Sequence, residues 1–179
     1  MEHTEIKELK ANIIDTQPRR VSYVRVAPEG WQAILGLEHY LNQCSLEPSL
    51  LDLVKLRVSQ MNNCAFCIDI HTKDARAKGE SEQRLYGLTA WWETPYYSDR
   101  ERAALAWTEA VTKISDGVPD ALYEQARQHF NEKELVDLTL AVIAINGTTR
   151  LSASFQAPVG AYRRDSPVAI RKEPEPSAR

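Results

Sequence analysis

Residues 50–72 read LLDLVKLRVSQMNNCAFCIDIHT, and this stretch decides how the chain folds. Its first half, which follows Pro48, places leucine and valine so densely at helical spacing that we expect a largely buried helix. Two asparagines then interrupt the pattern, and either Asn62 or Asn63 is suited to cap a second helix. That second helix is predicted to cover residues 64–78.

Within the second helix, two cysteines and a histidine form the pattern CxxCxxxH. At about 100° per residue, Cys64, Cys67 and His71 fall within an arc of about 60° on one helix face. Two thiols and an imidazole placed together can exchange protons and electrons. The helix start favours a thiolate at Cys64, whereas the histidine one turn away favours a thiolate at Cys67. The residues alone therefore leave open which thiol is the more acidic.

The composition is that of a globular domain of ordinary size. The 179 residues are 43% hydrophobic and 26% charged, with a formal net charge of −3 at pH 7. This charge gives no indication of nucleic-acid binding, and no run of about 18 apolar residues predicts a membrane span. Three cysteines, two of them in CxxC, do not make a disulfide framework, and no apolar signal segment opens the chain. We therefore expect a cytoplasmic protein whose cysteine pair is redox-active or metal-binding.

Helical periodicity continues on both sides of this stretch, and no strong strand pattern accompanies it. We predict a single-domain, all-α bundle of about seven helices, with a short extended segment at residues 21–26. The domain is expected to cover residues 21–162, between a polar lead-in at 1–20 and a charged, proline-containing tail at 163–179 that we expect to be disordered. The seven helices are predicted to start at or near Pro28, Pro48, Cys64, Ser81, Ser98, Leu122 and Asn131.

The stretch at residues 50–72 closely resembles the alkylhydroperoxidase D-like (AhpD-like) branch of the carboxymuconolactone decarboxylase superfamily. Residues 135–146 and Arg150 also resemble that branch, so the similarity covers roughly residues 20–162. The resemblance implies an all-α fold that assembles into trimers or hexamers. It also implies a thiol-dependent enzyme that reduces hydroperoxides in antioxidant defence, with an external dithiol or protein as reductant and with no organic cofactor or metal ion.

The same resemblance implies a role for each residue of the site. Cys67 corresponds to the thiol that attacks the peroxide and becomes a sulfenic acid, and Cys64 to the thiol that resolves it into a disulfide. His71 is the histidine of a proton relay. The glutamate of that relay, twelve residues before the first cysteine, corresponds to Asp52. Because aspartate is one methylene shorter than glutamate, a water is expected to bridge it to His71.

Two further positions depart from the family pattern. Phe66 stands where the best-known peroxidases of the branch have a histidine, and an apolar neighbour raises the pKa of a thiol. Residues 147–149, Gly-Thr-Thr, stand where relatives often carry a bulkier residue and an asparagine. Together with Asp52, these departures leave the rate of peroxide reduction and the identity of the hydroperoxide open.

The residues also allow other interpretations of the site. Two cysteines and one histidine supply three of the four ligands that Zn²⁺ needs, and Asp52 or a water would be the fourth. A non-catalytic helical oligomer with a redox-sensing or metal-binding CxxCxxxH site is therefore the main alternative. Another small-molecule reaction of the superfamily is a third. Asp74, three residues after His71, is placed to orient the ring, although a solvated carboxylate is the more common outcome.

We expect a homo-oligomer because several helix faces are too apolar for a monomer. The candidate contact surfaces are the Trp91–Trp92 pair and the long final helix. Arg150 on that helix is suited to pair with a carboxylate at a subunit interface. Neither nucleic acid nor a membrane is an expected partner.

Overall fold

The computed structural model describes residues 20–160 and 162, and this part of the chain contains helices and no strand. Two 3₁₀ segments, Leu88–Glu93 and Ile114–Asp116, follow the fifth and sixth α-helices. The predicted all-α bundle is confirmed, while the predictions for residues 1–19 and 163–179 fall outside the described residues. The α-helices are α1 (Tyr23–Val26), α2 (Pro28–Leu41), α3 (Pro48–Met61), α4 (Ala65–Ala77), α5 (Glu82–Gly87), α6 (Asp99–Thr112), α7 (Asp120–Arg127) and α8 (Glu132–Ser154).

The long helices begin at residues whose chemistry suits a helix N-terminus. Pro28 and Pro48 occupy the first turn of α2 and α3, where a missing N–H leaves no bond unmade. Ser98 and Asn131 form capping boxes at α6 and α8, in which the cap side chain and the glutamate three residues later each accept a backbone N–H. The seven helix starts predicted from sequence therefore hold to within about two residues.

Residues 23–26 are helical, so the extended segment predicted from the weak alternation of residues 21–26 is wrong over these four residues. Tyr23–Val26 form the short helix α1, in which the Val26 N–H donates to the Ser22 carbonyl at 3.0 Å. The Tyr23 ring packs edge-to-face on Trp31, with centroids 5.4 Å apart, and lies 5.9 Å from the Phe155 ring. These aromatic contacts stabilise the segment as a helix, and local alternation does not encode them.

The fourth predicted helix is shorter than the sequence indicates. From Ser81 the sequence predicts one helix that ends at Thr94-Pro95, but α5 ends at Gly87 and the following 3₁₀ segment is broken at Ala90, where φ is −128° and ψ is 37°. The Arg102 guanidinium donates to the carbonyls of Trp91, at 3.2 Å, and of Thr94. The Trp91 carbonyl also accepts the Thr94 N–H at 3.4 Å, so the segment ends in a 3₁₀ turn.

Helix α3 lies at the centre of the bundle and packs against α4, α6 and α8. Leu51, Val54 and Val58 belong to a hydrophobic cluster formed with α2, α6, α7 and α8. Leu53 and Leu56 belong to a second cluster, formed with α4, α5 and α6. Burial from two sides explains why the apolar residues of α3 are so dense, and it fixes α3 as the support for the helix that follows it.

Several large apolar side chains remain exposed on the surfaces that we expect to join subunits. Trp92 is 51% exposed, Val136 58% and Ile143 51%. Trp91 is instead partly buried, and its indole N–H donates to Glu109 Oε1 at 2.7 Å. The assembly state itself stays a prediction. Among the described residues, no helix is both long and apolar enough to span a membrane.

Candidate active site

The turn that joins α3 to α4 is a Schellman motif, in which two backbone N–H groups close the end of α3. The Asn63 N–H donates to the Gln60 carbonyl at 3.1 Å, and the Cys64 N–H donates to the Ser59 carbonyl at 3.0 Å. Asn63 is in the left-handed conformation, with φ at 51°. Asparagine adopts this conformation more readily than most other residues with a side chain, which explains its place in the turn.

Cys64 is itself the N-cap of α4, the position that we predicted for Asn62 or Asn63. Its backbone is extended, with φ at −88° and ψ at 93°, and its Sγ accepts a hydrogen bond from the Cys67 N–H at 3.3 Å. Sulfur is a weak hydrogen-bond acceptor, so cysteine is not a preferred N-cap residue. N-cap preferences therefore favoured the two asparagines. The same N–H favours a negative charge on the Cys64 sulfur.

Cys64 and Cys67 are joined by a disulfide, with their Cα atoms 5.3 Å apart. Each residue is only 3% exposed, so the pair is almost completely covered by the surrounding protein. Phe66, between them, is half-buried. The third cysteine, Cys44, is free and lies apart from the pair against the first hydrophobic cluster. The CxxC spacing therefore places two sulfurs in reach of each other at a helix start, as the sequence predicts.

His71 follows Cys67 by one turn of α4 and carries a neutral imidazole. Burial is the main cause that lowers its pKa to about 3, and the positive charges of Lys55 and Lys78 lower it further. The ring is packed on most sides and keeps partial contact with solvent. Within residues 20–160 and 162, no side chain hydrogen-bonds to it. At physiological pH the ring is therefore unprotonated.

Asp52 is buried on α3, and it is paired with a lysine at the far end of α4. Its carboxylate oxygens accept from Lys78 Nζ at 2.7 and 2.8 Å. Lys78 is the C-cap residue of α4, and Gly79 follows it in the left-handed conformation with φ at 98°. The Asp52 carboxylate thus forms an ion pair with Lys78 and makes no direct hydrogen bond to His71. The proton relay between Asp52 and His71 stays a prediction.

A cavity of about 260 Å³ opens beside this ion pair. Its lining includes Ser49 and Glu80 in addition to Asp52 and Lys78. A cavity with so many polar groups is suited to hold water. His71 is not among the lining residues, so the cavity has room for water beside Asp52 and Lys78, and a water that bridges Asp52 to His71 stays a prediction.

A second ion pair, which sequence reasoning did not single out, joins α3 to α2. Lys55 Nζ donates to Glu38 Oε2, and the two side chains are 11% and 22% exposed. Lys55 follows Asp52 by about one turn of α3, so the two ion pairs lie near each other along that helix. The positive charges of both lysines lower the pKa of His71, in addition to the larger effect of burial.

Asp74 does not bind the His71 ring. Its Oδ1 accepts from the Tyr162 hydroxyl at 2.8 Å, and Lys73 Nζ donates to the Tyr162 carbonyl at 3.3 Å. Lys73 also pairs with Asp69 one turn earlier on α4, at 2.8 Å. Lys73 and Asp74, on the charged side of α4, therefore bind Tyr162.

A polar network, which sequence reasoning missed, joins the α3–α4 turn to the rest of the bundle. Asn62 Nδ2 donates to Asn146 Oδ1 at 3.0 Å and to Thr149 Oγ1 at 2.9 Å, both on α8. Arg150 also donates to Asn146 Oδ1, at 2.6 Å within its own helix. An asparagine next to a helix end is typical of a cap, so the pattern contained no signal for this long-range contact.

The metal-binding alternative finds no ligand set in the structure. Over residues 20–160 and 162, no group of three or more histidine, cysteine, aspartate or glutamate side chains is arranged to hold a metal ion. In particular, the Asp52 carboxylate that would complete a zinc site is bonded to Lys78.

The chain is similar in sequence to the carboxymuconolactone decarboxylase family, which matches residues 26–110 and so includes the whole α3–α4 hairpin. The uncharacterised protein YdfG from Bacillus subtilis (strain 168) is 50% identical over 138 residues, which cover 76% of this chain and 94% of YdfG. The segment that matches the family spans the positions of Asp52, the cysteine pair and His71 in this chain.

Solved structures show the same fold. A protein of unknown function from Agrobacterium tumefaciens, assigned to AhpD antioxidant defence, is 40% identical, with a TM-score of 0.78 over 81% of this chain and 100% of that chain. An uncharacterised peroxidase-related protein from Ralstonia eutropha JMP134, with an alkylhydroperoxidase AhpD core, is 18% identical, with a TM-score of 0.67 over 74% of this chain and 72% of that chain. The second likeness is one of fold alone.

Proposed function

Because the chain belongs to the carboxymuconolactone decarboxylase family, we propose that it is a thiol-dependent peroxidase that reduces hydroperoxides through Cys64 and Cys67. The observation that supports this most directly is the disulfide-bonded CxxC pair at the start of α4, with a neutral His71 one turn beyond it. The similarity to AhpD-type antioxidant proteins supports the same role.

In the first step of the proposed cycle, the Cys67 thiolate attacks the terminal oxygen of the hydroperoxide. A sulfur–oxygen bond forms with two electrons from sulfur, and the oxygen–oxygen bond breaks. The alkoxide leaves and takes a proton to become an alcohol, or water when the substrate is hydrogen peroxide. Cys67 is then a sulfenic acid.

In the second step, the Cys64 thiolate attacks the sulfenic sulfur. The sulfur–sulfur bond forms, and hydroxide leaves and is protonated to water. The geometry supports this step, because the Cα atoms are already 5.3 Å apart, within the range that a disulfide needs. The N–H of Cys67, which points at the Cys64 sulfur, supports a thiolate at the resolving position.

His71 is proposed to carry the proton between these steps. A neutral imidazole can accept the thiol proton, and a thiolate formed one turn away would raise the pKa of His71 while the pair of charges exists. Because burial and two lysines lower the pKa of His71 in the resting state, it gives the proton up readily to the departing alkoxide. An external dithiol then reduces the disulfide by thiol–disulfide exchange.

The test is to count the thiols of the reduced protein before and after one equivalent of cumene hydroperoxide. A Cys44→Ser background removes the free cysteine, which lies apart from the pair. We expect two thiols to be lost per peroxide consumed, none in Cys67→Ser, and one in Cys64→Ser, where the sulfenic acid cannot be resolved. Unchanged peroxide consumption in Cys67→Ser contradicts the proposal, and stoichiometric zinc with unreactive thiols favours the non-catalytic alternative.

A further inference from the structure

The turn that presents Cys64 is anchored to the distant helix α8 through one side chain. Asn62, two residues before Cys64, donates both of its amide hydrogen bonds to α8, to Asn146 Oδ1 at 3.0 Å and to Thr149 Oγ1 at 2.9 Å. The sequence separations are 84 and 87 residues, so these contacts belong to the tertiary structure and not to the turn itself.

Asn146 is the centre of this network and has no free hydrogen-bonding position. Its Oδ1 accepts from Asn62 and, at 2.6 Å, from Arg150. Its Nδ2 donates to the Val142 carbonyl at 3.0 Å and to Thr112 Oγ1 on α6 at 3.2 Å. A carboxamide with two acceptor and two donor bonds has one fixed orientation, so it holds Asn62 in one position.

The position of Asn62 controls the conformation of Cys64. Between them lies only Asn63, in the left-handed conformation, and Cys64 must be extended for its sulfur to reach the first turn of α4. The closed disulfide requires this arrangement, whereas the dithiol does not. A turn that is free to move would therefore gain conformations in the dithiol but not in the disulfide.

We infer that Asn62, held by Asn146 and Thr149, is a positioning residue that sets the equilibrium between the Cys64–Cys67 disulfide and the dithiol. The network restricts the dithiol to conformations close to the closed ring, so it lowers the entropy lost when the ring closes and favours the disulfide. Loss of the network makes the disulfide easier to reduce.

This inference rests on the proposed function only in that the pair is oxidised and reduced reversibly. The test measures that equilibrium without peroxide. The purified protein is equilibrated with mixtures of reduced and oxidised dithiothreitol, and the fraction of dithiol is read by mass after alkylation. Dithiothreitol loses two electrons and two protons as its cyclic disulfide forms, and the Cys64–Cys67 bond breaks to give two thiols.

In Asn62→Ala we expect the equilibrium constant for reduction to rise by about 3- to 10-fold, which is about 14–30 mV at 29.6 mV per tenfold change. Thr149→Val keeps the shape of the side chain and one of the two Asn62 bonds, so we expect a smaller rise of about 2- to 3-fold. If Asn62→Ala does not fold, the milder variant decides the question.

Thr139→Val is the matched control. Thr139 is also on α8, and its hydroxyl accepts the Trp107 indole N–H at 3.0 Å, so its loss destabilises the bundle without touching the turn. We expect no change in the equilibrium for this variant. An Asn62→Ala or Thr149→Val equilibrium equal to that of the wild type, or a Thr139→Val shift as large as theirs, overturns the inference. Shifts as expected in a protein that does not react with hydroperoxide leave the inference standing and refute the proposed function.

Discussion

The two ends of the α3–α4 hairpin are closed in different ways. At the turn, Cys64 and Cys67 close the first turn of α4 through a covalent bond between two residues that are each 3% exposed. At the other end, Asp52 and Lys78 close the hairpin through an ion pair whose lysine side chain is 44% exposed. His71 lies between the two.

The difference shows which conditions act on each end. The covalent end responds to the redox state, and burial protects it from salt and solvent. The ionic end responds to ionic strength, because one of its partners is in contact with water. Lys78 lowers the pKa of His71, so the ionic end acts electrostatically on the ring that lies one turn beyond Cys67.

Breaking the covalent end should have the largest effect on stability. A disulfide that closes a loop of four residues is expected to contribute about 2 kcal/mol by restricting the unfolded chain. Reduction with dithiothreitol should therefore lower the free energy of unfolding by about 2 kcal/mol, measured by urea denaturation. The Cys64→Ala/Cys67→Ala double variant is the control and should not respond to the reductant. An unchanged urea midpoint on reduction of the wild type would contradict this expectation.

Acidification should act through His71. Its pKa is about 3 in the folded chain and 6.5 in an unperturbed histidine, so between these values the unfolded chain binds more protons than the folded one. Stability should thus fall as the pH decreases from 7 towards 3, by on the order of 1–2 kcal/mol at pH 5. His71→Gln should remove this part of the pH dependence in urea denaturation. His39→Gln, at an exposed histidine on α2, should retain it, and equal slopes in both variants would refute the assignment.

Breaking the ionic end should have the smallest effect of the three. Asp52→Asn removes the charge that Lys78 pairs with, but Lys78 can turn to water, so we expect a loss of about 1 kcal/mol in urea denaturation. Asp69→Asn is the matched control on α4, because the Asp69–Lys73 pair lies within one helix near the surface and should contribute less than about 0.5 kcal/mol. A larger loss in Asp69→Asn would show that the two-ended description is wrong.

The Asp52→Asn variant also tests whether the two ends of the hairpin act independently. Because the ion pair lies at the end of the hairpin away from the turn, Asp52→Asn should leave the dithiothreitol equilibrium of Cys64–Cys67 within about 2-fold of the wild type. A shift as large as that of Asn62→Ala would mean that both ends act on the disulfide.

The hairpin itself could be predicted from sequence because its signals are local. Proline at the first turn of α3, the dense apolar pattern and the CxxCxxxH spacing each depend on residues close together in the chain. The same holds for the helix starts predicted at Ser98 and Asn131, where the structure has capping boxes. Local signals of this kind also led to the family resemblance.

The remaining features depend on contacts that are distant in sequence. The Asp52–Lys78 pair spans 26 residues. A lysine at a helix C-terminus suits the negative end of the helix dipole, so its position gives no indication of a partner on another helix. The position of Asn62 beside a helix end is explained by capping alone, so its contacts to α8 could not be predicted from the sequence. The helix at Tyr23–Val26 is stabilised by Trp31 and Phe155, and no pattern within four residues indicates it.

The central claim is that Cys67 is the sulfur that hydroperoxide oxidises. It is tested most directly by treating reduced Cys64→Ser with one equivalent of cumene hydroperoxide in the presence of dimedone, and by locating the adduct by peptide mass spectrometry. We predict a dimedone adduct on Cys67, formed only when peroxide is added. The absence of an adduct on Cys67, or an adduct confined to Cys44, would contradict the account.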